Sequence, residues 1–193
     1  GPLVETLAAH ARSPSGVREL RQLLARRPDL EDSLLEALAG DPANTYAILA
    51  IESRSRQRAG KIEKPPAWQS RLLEGLVAAG EFDMAKRVWA RVTGRPLKPA
   101  IFNPGFAMTS APAPFNWTLA RSGGAISESR HGRLHVVHFG REDMIIAAQT
   151  LVLPMGQYRL SMMIAGESGH PAELRWRVRC LPSGQSILDI PVS

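Results

Sequence analysis

The stretch from Gly94 to Pro99, with the sequence GRPLKP, decides how this chain folds, because the spacing of apolar residues changes there. Before it, apolar residues recur at intervals of three and four, the period of an amphipathic helix. After it, short runs alternate between apolar and polar residues, the period of a strand. The sequence therefore predicts an α+β protein with two domains, a helical domain over residues 1–94 and an antiparallel β-sandwich over 101–193, joined by a linker over 95–100.

The helical half carries several narrow apolar stripes with recognisable start signals. Asp29 is predicted to cap the helix that follows it, because an aspartate side chain accepts hydrogen bonds from free backbone amides at a helix start. Asp41 followed by Pro42 predicts another start, because proline at the first helical position loses no hydrogen bond. The short loops between stripes predict a stack of antiparallel helical hairpins. The stripes are formed by Leu3, Leu7, Ala11; Leu20, Leu23, Leu24; Leu30, Leu34, Leu35, Leu38; and Ala47, Ile48, Ile51.

The last predicted hairpin contains Leu72, Gly80, Ala85 and Trp89 at a characteristic spacing. This part of the chain resembles the inter-helix turn and second helix of a tetratricopeptide repeat. The resemblance implies that Gly80 permits the turn, that Ala85 allows close helix approach and that Trp89 fills a groove against the following element. Leu73 stands where the family has glycine, and no second copy follows at the repeat period. A degenerate repeat and a generic α-hairpin both explain the pattern, so the half is predicted to act either as a peptide-binding groove or as a spacer.

The second half contains seven short alternating runs separated by glycine- and proline-rich turns. Short, closely spaced strands without intervening helices predict an antiparallel sandwich. The runs lie at 115–121, 125–129, 133–139, 144–153, 157–165, 173–181 and 187–190.

Four segments of this half carry a family resemblance: Asn103 to Phe106, Phe115 to Trp117, Gln149 to Leu151 and Gly156 to Met162. Together they resemble the jelly-roll carbohydrate-binding modules of the cellulose- and xylan-binding type. The resemblance implies a jelly-roll fold in which the phenylalanines, the tryptophan and the tyrosine fill the core. Ala107 replaces an acidic residue of the family, which puts in doubt the calcium site sometimes found at that end of the fold.

The candidate ligand-binding residues lie in one strand, at Arg175, Trp176, Arg177 and Arg179. Alternation places the three arginines on one face of this strand, where guanidinium groups could grip acidic sugars or carboxylates in bidentate fashion. The other interpretation is an ordinary solvated strand face. Trp176 falls on the opposite, apolar face, which predicts burial, although an exposed indole there would offer a stacking platform for a sugar ring.

The sequence predicts neither catalysis nor a cofactor. Ser, His and Asp residues are present but none lies in a nucleophile elbow or a glycine-rich phosphate loop. His135 and His138 are predicted to point to opposite faces of a strand, without a companion cysteine or carboxylate at metal-ligand spacing. No catalytic or metal-ligating residue is therefore assigned, and the protein is predicted not to be an enzyme.

Charge and hydropathy narrow the classes of partner. The chain has 24 Lys+Arg against 18 Asp+Glu, a net charge of +6 that is spread along it. One basic cluster (Arg54, Arg56, Arg58, Lys61, Lys64) lacks interleaved aromatic residues and is interpreted as a solvated helix end, so nucleic acid is disfavoured as a partner. No apolar run is long enough to span a bilayer. The location is left open, with the periplasm or cell envelope favoured over the cytoplasm.

Two functional hypotheses follow. In the first, the helical stack presents a jelly-roll module that binds polysaccharide. In the second, the protein is an assembly module that meets a protein partner through the helical groove or a strand edge. The last run ends close to Ser193, so an uncovered strand edge is expected, and strand edges are predicted to pair with a second chain in a dimer.

Overall fold

The computed structural model describes residues 2–52, 64–121, 123–139, 143–163, 174–181 and 183–191. It confirms an α+β protein: helices occupy the first half and small antiparallel sheets the second. Most of the predicted basic cluster lies outside the described residues. Among the described helices, none is both long and apolar enough to cross a membrane.

Six α-helices are described in the first half. They are α1 (Pro2–Ala11), α2 (Pro14–Arg26), α3 (Glu31–Leu38), α4 (Thr45–Ile51), α5 (Ala67–Ala78) and α6 (Phe82–Thr93). Short 3₁₀ turns precede α3 and α4, at Pro28–Leu30 and Pro42–Asn44. Successive helices contact one another in the pairs α1 with α2 and α5 with α6, while α3 packs on both α1 and α5.

The two predicted helix starts have different outcomes. Asp41 caps its turn as predicted, accepting a hydrogen bond from the Ala43 amide at 2.9 Å with Pro42 in the first position. The prediction for Asp29 is wrong: α3 begins after Leu30 with no side-chain cap. Asp29 instead accepts two hydrogen bonds from the Arg27 guanidinium, at 2.7 and 3.0 Å. Asp29 lies inside the 3₁₀ turn Pro28–Leu30 and not at the residue just before α3, so its carboxylate pairs with the adjacent guanidinium in a charge-assisted bond.

Helices α5 and α6 form the hairpin that the spacing of Gly80, Ala85 and Trp89 predicts. Gly80 adopts a left-handed conformation with φ of +77°, which glycine accepts without steric cost, and so ends α5 and reverses the chain. Ala85 and Trp89 are fully buried on α6. The helical hairpin is therefore present, and its membership of the repeat family stays a prediction.

The part of the second half that the structure describes contains three two-stranded antiparallel sheets. Strand β1 (Thr118–Leu119) pairs with β4 (Ala147–Ala148), β2 (Ala125–Arg130) with β3 (Arg133–His138), and β5 (Arg175–Arg179) with β6 (Ser186–Pro191). Six of the seven predicted runs thus contain a strand. The run predicted at 157–165 forms none over its described residues 157–163. A sandwich that closes these sheets over one another stays a prediction.

One hydrophobic core lies in the helical half and continues into the first loop of the strand half. Of the nineteen buried apolar side chains among the described residues, three follow residue 100. The indole of Trp89 meets the rings of Phe102 and Phe115 edge to face, with centroids 5.1 and 5.6 Å apart. Edge-to-face pairs of this kind add to the free energy of area burial. The core therefore crosses the 95–100 segment, and the division into independent domains there stays a prediction.

The loop that supplies Phe102 and Phe115 is held by side-chain amides. Asn116 donates to the carbonyl oxygens of Met108 and Ala111 at 3.2 and 2.9 Å, and Asn103 donates to Met108 at 2.8 Å. Gln149 brackets the Phe102 backbone, accepting from its N–H at 3.0 Å and donating to its carbonyl at 2.8 Å. These bonds satisfy polar groups beside the core, where an unpaired group would be costly.

Candidate binding surface of the strand half

The hairpin of β5 and β6 holds every residue predicted to bind a ligand. Its turn is closed by hydrogen bonds from the Cys180 N–H to the Gln185 carbonyl and from the Gly184 N–H to the Cys180 carbonyl, at 2.9 and 2.8 Å. Gly184 has a φ of +67°, a left-handed conformation that a side chain would strain. The sequence Ser183-Gly184 thus sets the register that places the arginines opposite β6.

The hairpin has one charged and one apolar face, as the alternation predicts. Arg177 lies opposite Asp189, while Trp176 lies opposite Ile190 and Val178 opposite Leu188. Directly opposite residues of an antiparallel pair project to the same side. The charged face therefore carries Arg175, Arg177 and Asp189, and the apolar face carries Trp176, Val178, Leu188 and Ile190.

Asp189 binds two of the three predicted arginines. Its carboxylate oxygens lie 2.7 Å from Nε of Arg175 and 3.2 Å from Nε of Arg177. The hydrogen bond from Arg175 is the main reason that the pKa of Asp189 lies below its usual range, with a further contribution from Arg177. Two of the predicted ligand-binding guanidiniums are thus already engaged by a carboxylate of the same hairpin.

Arg179 differs from the other two arginines. A bulge between Val178 and Arg179 shifts the register, and Arg179 lies opposite Ser186, beyond the reach of Asp189. It is exposed, and no carboxylate of the described residues forms an ion pair with it. Arg179 is therefore the guanidinium of this face most available to an external anion.

Trp176 is half-buried, so it is less buried than its position on the apolar face predicts. Its indole N–H donates to Sδ of Met162 at 2.6 Å. Val178, on the same face of the strand, is 37 % exposed. The apolar face of the hairpin is consequently covered only in part by the described residues.

The hairpin of β2 and β3 also presents a mixed outer face. Ile126 lies opposite Val137, and Glu128 lies opposite His135. His138 points to the other face of the sheet, so the prediction that His135 and His138 diverge is confirmed. Within the described part of the chain, no group of three or more His, Cys, Asp or Glu side chains is placed to hold a metal ion.

Exposed apolar side chains are concentrated in the strand half. Eighteen large apolar side chains of the described residues are exposed, and fifteen of them follow residue 100. Tyr158 is among them: its predicted core position is wrong, because it is 55 % exposed and its hydroxyl donates to the Pro154 carbonyl across a local turn. Trp117, also predicted to lie in the core, is half-buried against Phe106 with ring centroids 4.8 Å apart.

Sequence reasoning missed two features of this surface. The pairing of Asp189 with the arginines could have been found, since Asp189 and Arg177 both occupy alternate positions of neighbouring runs. The exposure of the apolar strand faces could not, because alternation identifies an apolar face without showing what covers it. Comparison of the chain with family models, with curated proteins and with solved structures returns no match.

The ion pairs of Asp189 should make the stability of the β5–β6 hairpin depend on pH. Because its folded pKa lies below its unfolded value, its pairing contributes fully to hairpin stability above pH about 4, and that contribution is lost as the pH falls through the lowered folded pKa. An NMR titration of the Asp189 carboxyl carbon should show this lowered pKa. Arg175→Ala should raise the pKa toward its ordinary value, and by more than Arg177→Ala does. Equal effects of the two variants would contradict the assignment of Arg175 as the main cause.

Proposed function

We propose that this chain is a non-catalytic interaction protein whose helical half anchors a β-rich half that binds a protein partner. The observation that carries the proposal is the distribution of exposed apolar side chains, fifteen of eighteen of which follow residue 100 in the described residues. Exposed apolar side chains in this number favour an interaction surface, because a partner that covers them recovers the free energy that their contact with water costs.

The architecture of the sheets supports a partner as well. A single two-stranded hairpin is marginally stable alone in water, and each described sheet has two strands. The β5–β6 hairpin has an apolar face on which Ile190 is 46 % exposed. A partner that covers such a face would bury apolar area and add stability to the hairpin.

The helical half fits the role of an anchor better than that of a peptide-binding groove. Its described residues expose few large apolar side chains, namely Leu23, Leu30 and Tyr46. Trp89, which the repeat resemblance places in a groove against the following element, packs on Phe102 and Phe115 of the strand half. The helices therefore serve to position the β-rich half.

The proposal also includes the arrangement of the sheets in the strand half. We take the strand half to be a jelly-roll-like sandwich, on the strength of the resemblance at 103–117 and 149–162 and of antiparallel pairing in all three described sheets. In this interpretation the partner covers apolar sheet faces that the described residues leave exposed to solvent.

A polysaccharide is the second candidate partner. This candidate is favoured by the exposed guanidinium of Arg179, which lies on the same strand face as Arg177, and by the half-exposed ring of Tyr158. Guanidinium groups bind the carboxylates of acidic sugars, and an exposed ring can stack on a pyranose. The occupation of Arg175 and Arg177 by Asp189 weighs against it relative to a protein partner.

Site-specific photo-crosslinking tests the proposal. A benzophenone amino acid placed at Val137 or Ile187, which are 57 % and 66 % exposed, should yield a discrete cross-linked protein in cells. The matched control is Tyr46, 72 % exposed on α4, where no such product is expected. The cross-linked protein would be identified by mass spectrometry and titrated in purified form against the chain.

The outcomes separate the two candidates. Cross-links from the strand positions, with binding reproduced by purified components, support a protein partner. Equal cross-linking from Tyr46 would show that the surface is not selective and would contradict the proposal. Absence of a protein product, together with retention of an acidic glycan on an array, would replace it with the polysaccharide candidate.

A further inference from the structure

The outer edge of β5 is a row of backbone groups that no described strand occupies. β5 pairs with β6 on one side, and the described residues contain no strand on its other side. Such an edge accepts another extended chain through backbone hydrogen bonds. The outer edge of β6 is less suited to this, because β6 ends in Pro191, which has no N–H to donate.

The charges of β5 specify what kind of strand fits this edge. Arg175, Arg177 and Arg179 share one face, and Asp189, which lies opposite Arg177, binds the first two of them. Arg179 is exposed and has no ion-pair partner among the described residues. Acidic side chains two positions apart on an incoming strand would lie beside Arg177 and Arg179, where opposite charges across a ladder are favourable.

The same charges disfavour a second copy of the chain. If β5 paired antiparallel with β5 of another copy about a two-fold axis at Arg177, Arg175 would lie opposite Arg179 of that copy. All six arginines would then share one face. Like charges directly opposite one another destabilise a sheet, so the arginine row protects this edge from self-pairing.

We propose that the outer edge of β5 binds an extended acidic segment of a protein partner, which adds to the sheet as a further strand. Its acidic residues lie beside Arg177 and Arg179, and its intervening apolar residues lie beside Trp176 and Val178. The recognised pattern is thus acidic and apolar in strict alternation. This inference rests on the proposed function and names the chemical class of the partner.

A synthetic peptide of alternating glutamate and valine, about nine residues long and within ordinary strand length, is the probe. Its fluorescein-labelled form is titrated with the full chain and followed by anisotropy. We expect saturable binding, and protection of amides 175–179 from hydrogen exchange when the peptide is present. A peptide of the same composition with its glutamates and valines in two blocks should bind at least about tenfold more weakly, because it cannot satisfy both faces.

Two matched variants test the site. Arg179→Glu reverses the charge without touching Asp189 and should weaken peptide binding by about tenfold. Arg133→Glu removes an exposed arginine from β3 and should change binding less than about twofold. Hairpin integrity in both variants is checked by the lowered pKa of Asp189, which neither substitution removes.

Several results would overturn the inference. Equal loss in Arg133→Glu and Arg179→Glu would indicate non-specific attraction, and equal binding of the block peptide would exclude strand addition. Binding of polygalacturonate that depends on Arg179, without peptide binding, would assign the edge to an acidic glycan. Cross-links from Ile187 without peptide binding would overturn this inference alone, whereas absence of cross-links from both strand positions would overturn the proposed function.

Discussion

Replacing Trp89 with alanine is expected to destabilise the protein by about 3–5 kcal/mol, the cost typical of truncating a fully buried aromatic residue. Trp89 has no exposed surface, and its ring packs edge to face on Phe102 and Phe115. The substitution removes both the apolar area and the two ring contacts, and it leaves a cavity between the helices and the strand half. Urea denaturation followed by far-ultraviolet circular dichroism would measure the loss.

The control for this prediction is Tyr46→Ala, which removes an aromatic ring that is 72 % exposed in the helical half. Its effect should stay within about 0.5 kcal/mol, as for other surface substitutions. The Trp89 variant should also become sensitive to proteolysis within residues 95–100, because the ring contacts beyond that segment are lost. A destabilisation below about 1 kcal/mol, with unchanged proteolysis, would show that Trp89 does not join the two halves.

Asn116→Ala is expected to cost about 2–3 kcal/mol, because it removes a buried donor and leaves the Ala111 carbonyl without its hydrogen bond. The Asn116 amide donates to Ala111 and Met108, and its oxygen accepts from Asn103 at 3.1 Å. Met108 keeps the bond from Asn103, so its carbonyl is not left unpaired. The loop that delivers Phe115 to Trp89 should loosen as a result.

Two further variants sharpen this test under the same denaturation assay. Asn116→Asp keeps the side-chain volume while it replaces the amide donor by an acceptor, and it should destabilise at least as much as alanine. Gln185→Ala removes an exposed amide in the β5–β6 turn and should be close to neutral. If Asn116→Asp were as stable as the original chain, the hydrogen bonds assigned to the Asn116 amide would be wrong.

The parts of the fold that rest on local chemistry were predictable from the sequence. Gly80, Ala85 and Trp89 lie in one hairpin at fixed spacing, and period-two alternation located β2, β3 and the hairpin of β5 and β6. Turn glycines and helical stripes act within a few residues, so a single sequence contains the information that they need. The two faces of β5 followed from alternation for the same reason.

What depended on distant contacts was not predictable. The sequence marks Trp89 as buried but does not show that Phe102 and Phe115 pack on it. Asp29 has the chemistry of a cap, yet its carboxylate is taken by Arg27, a choice between two nearby donors that spacing cannot decide. Tyr158 follows a strand-like pattern but finds no neighbouring strand among the described residues, so its ring lies exposed.

The clamp of Gln149 on the backbone of Phe102 has a consequence for the order in which the protein forms. It joins residues 47 positions apart, whereas the contacts of α5 with α6 lie within a few turns of chain. Closing so large a loop is slow relative to helix pairing, and the amino-terminal part leaves the ribosome first. We therefore expect the nascent helices to assemble first. The later segment, which carries Phe102 and Phe115, then packs on the Trp89 indole that the helices already hold in place.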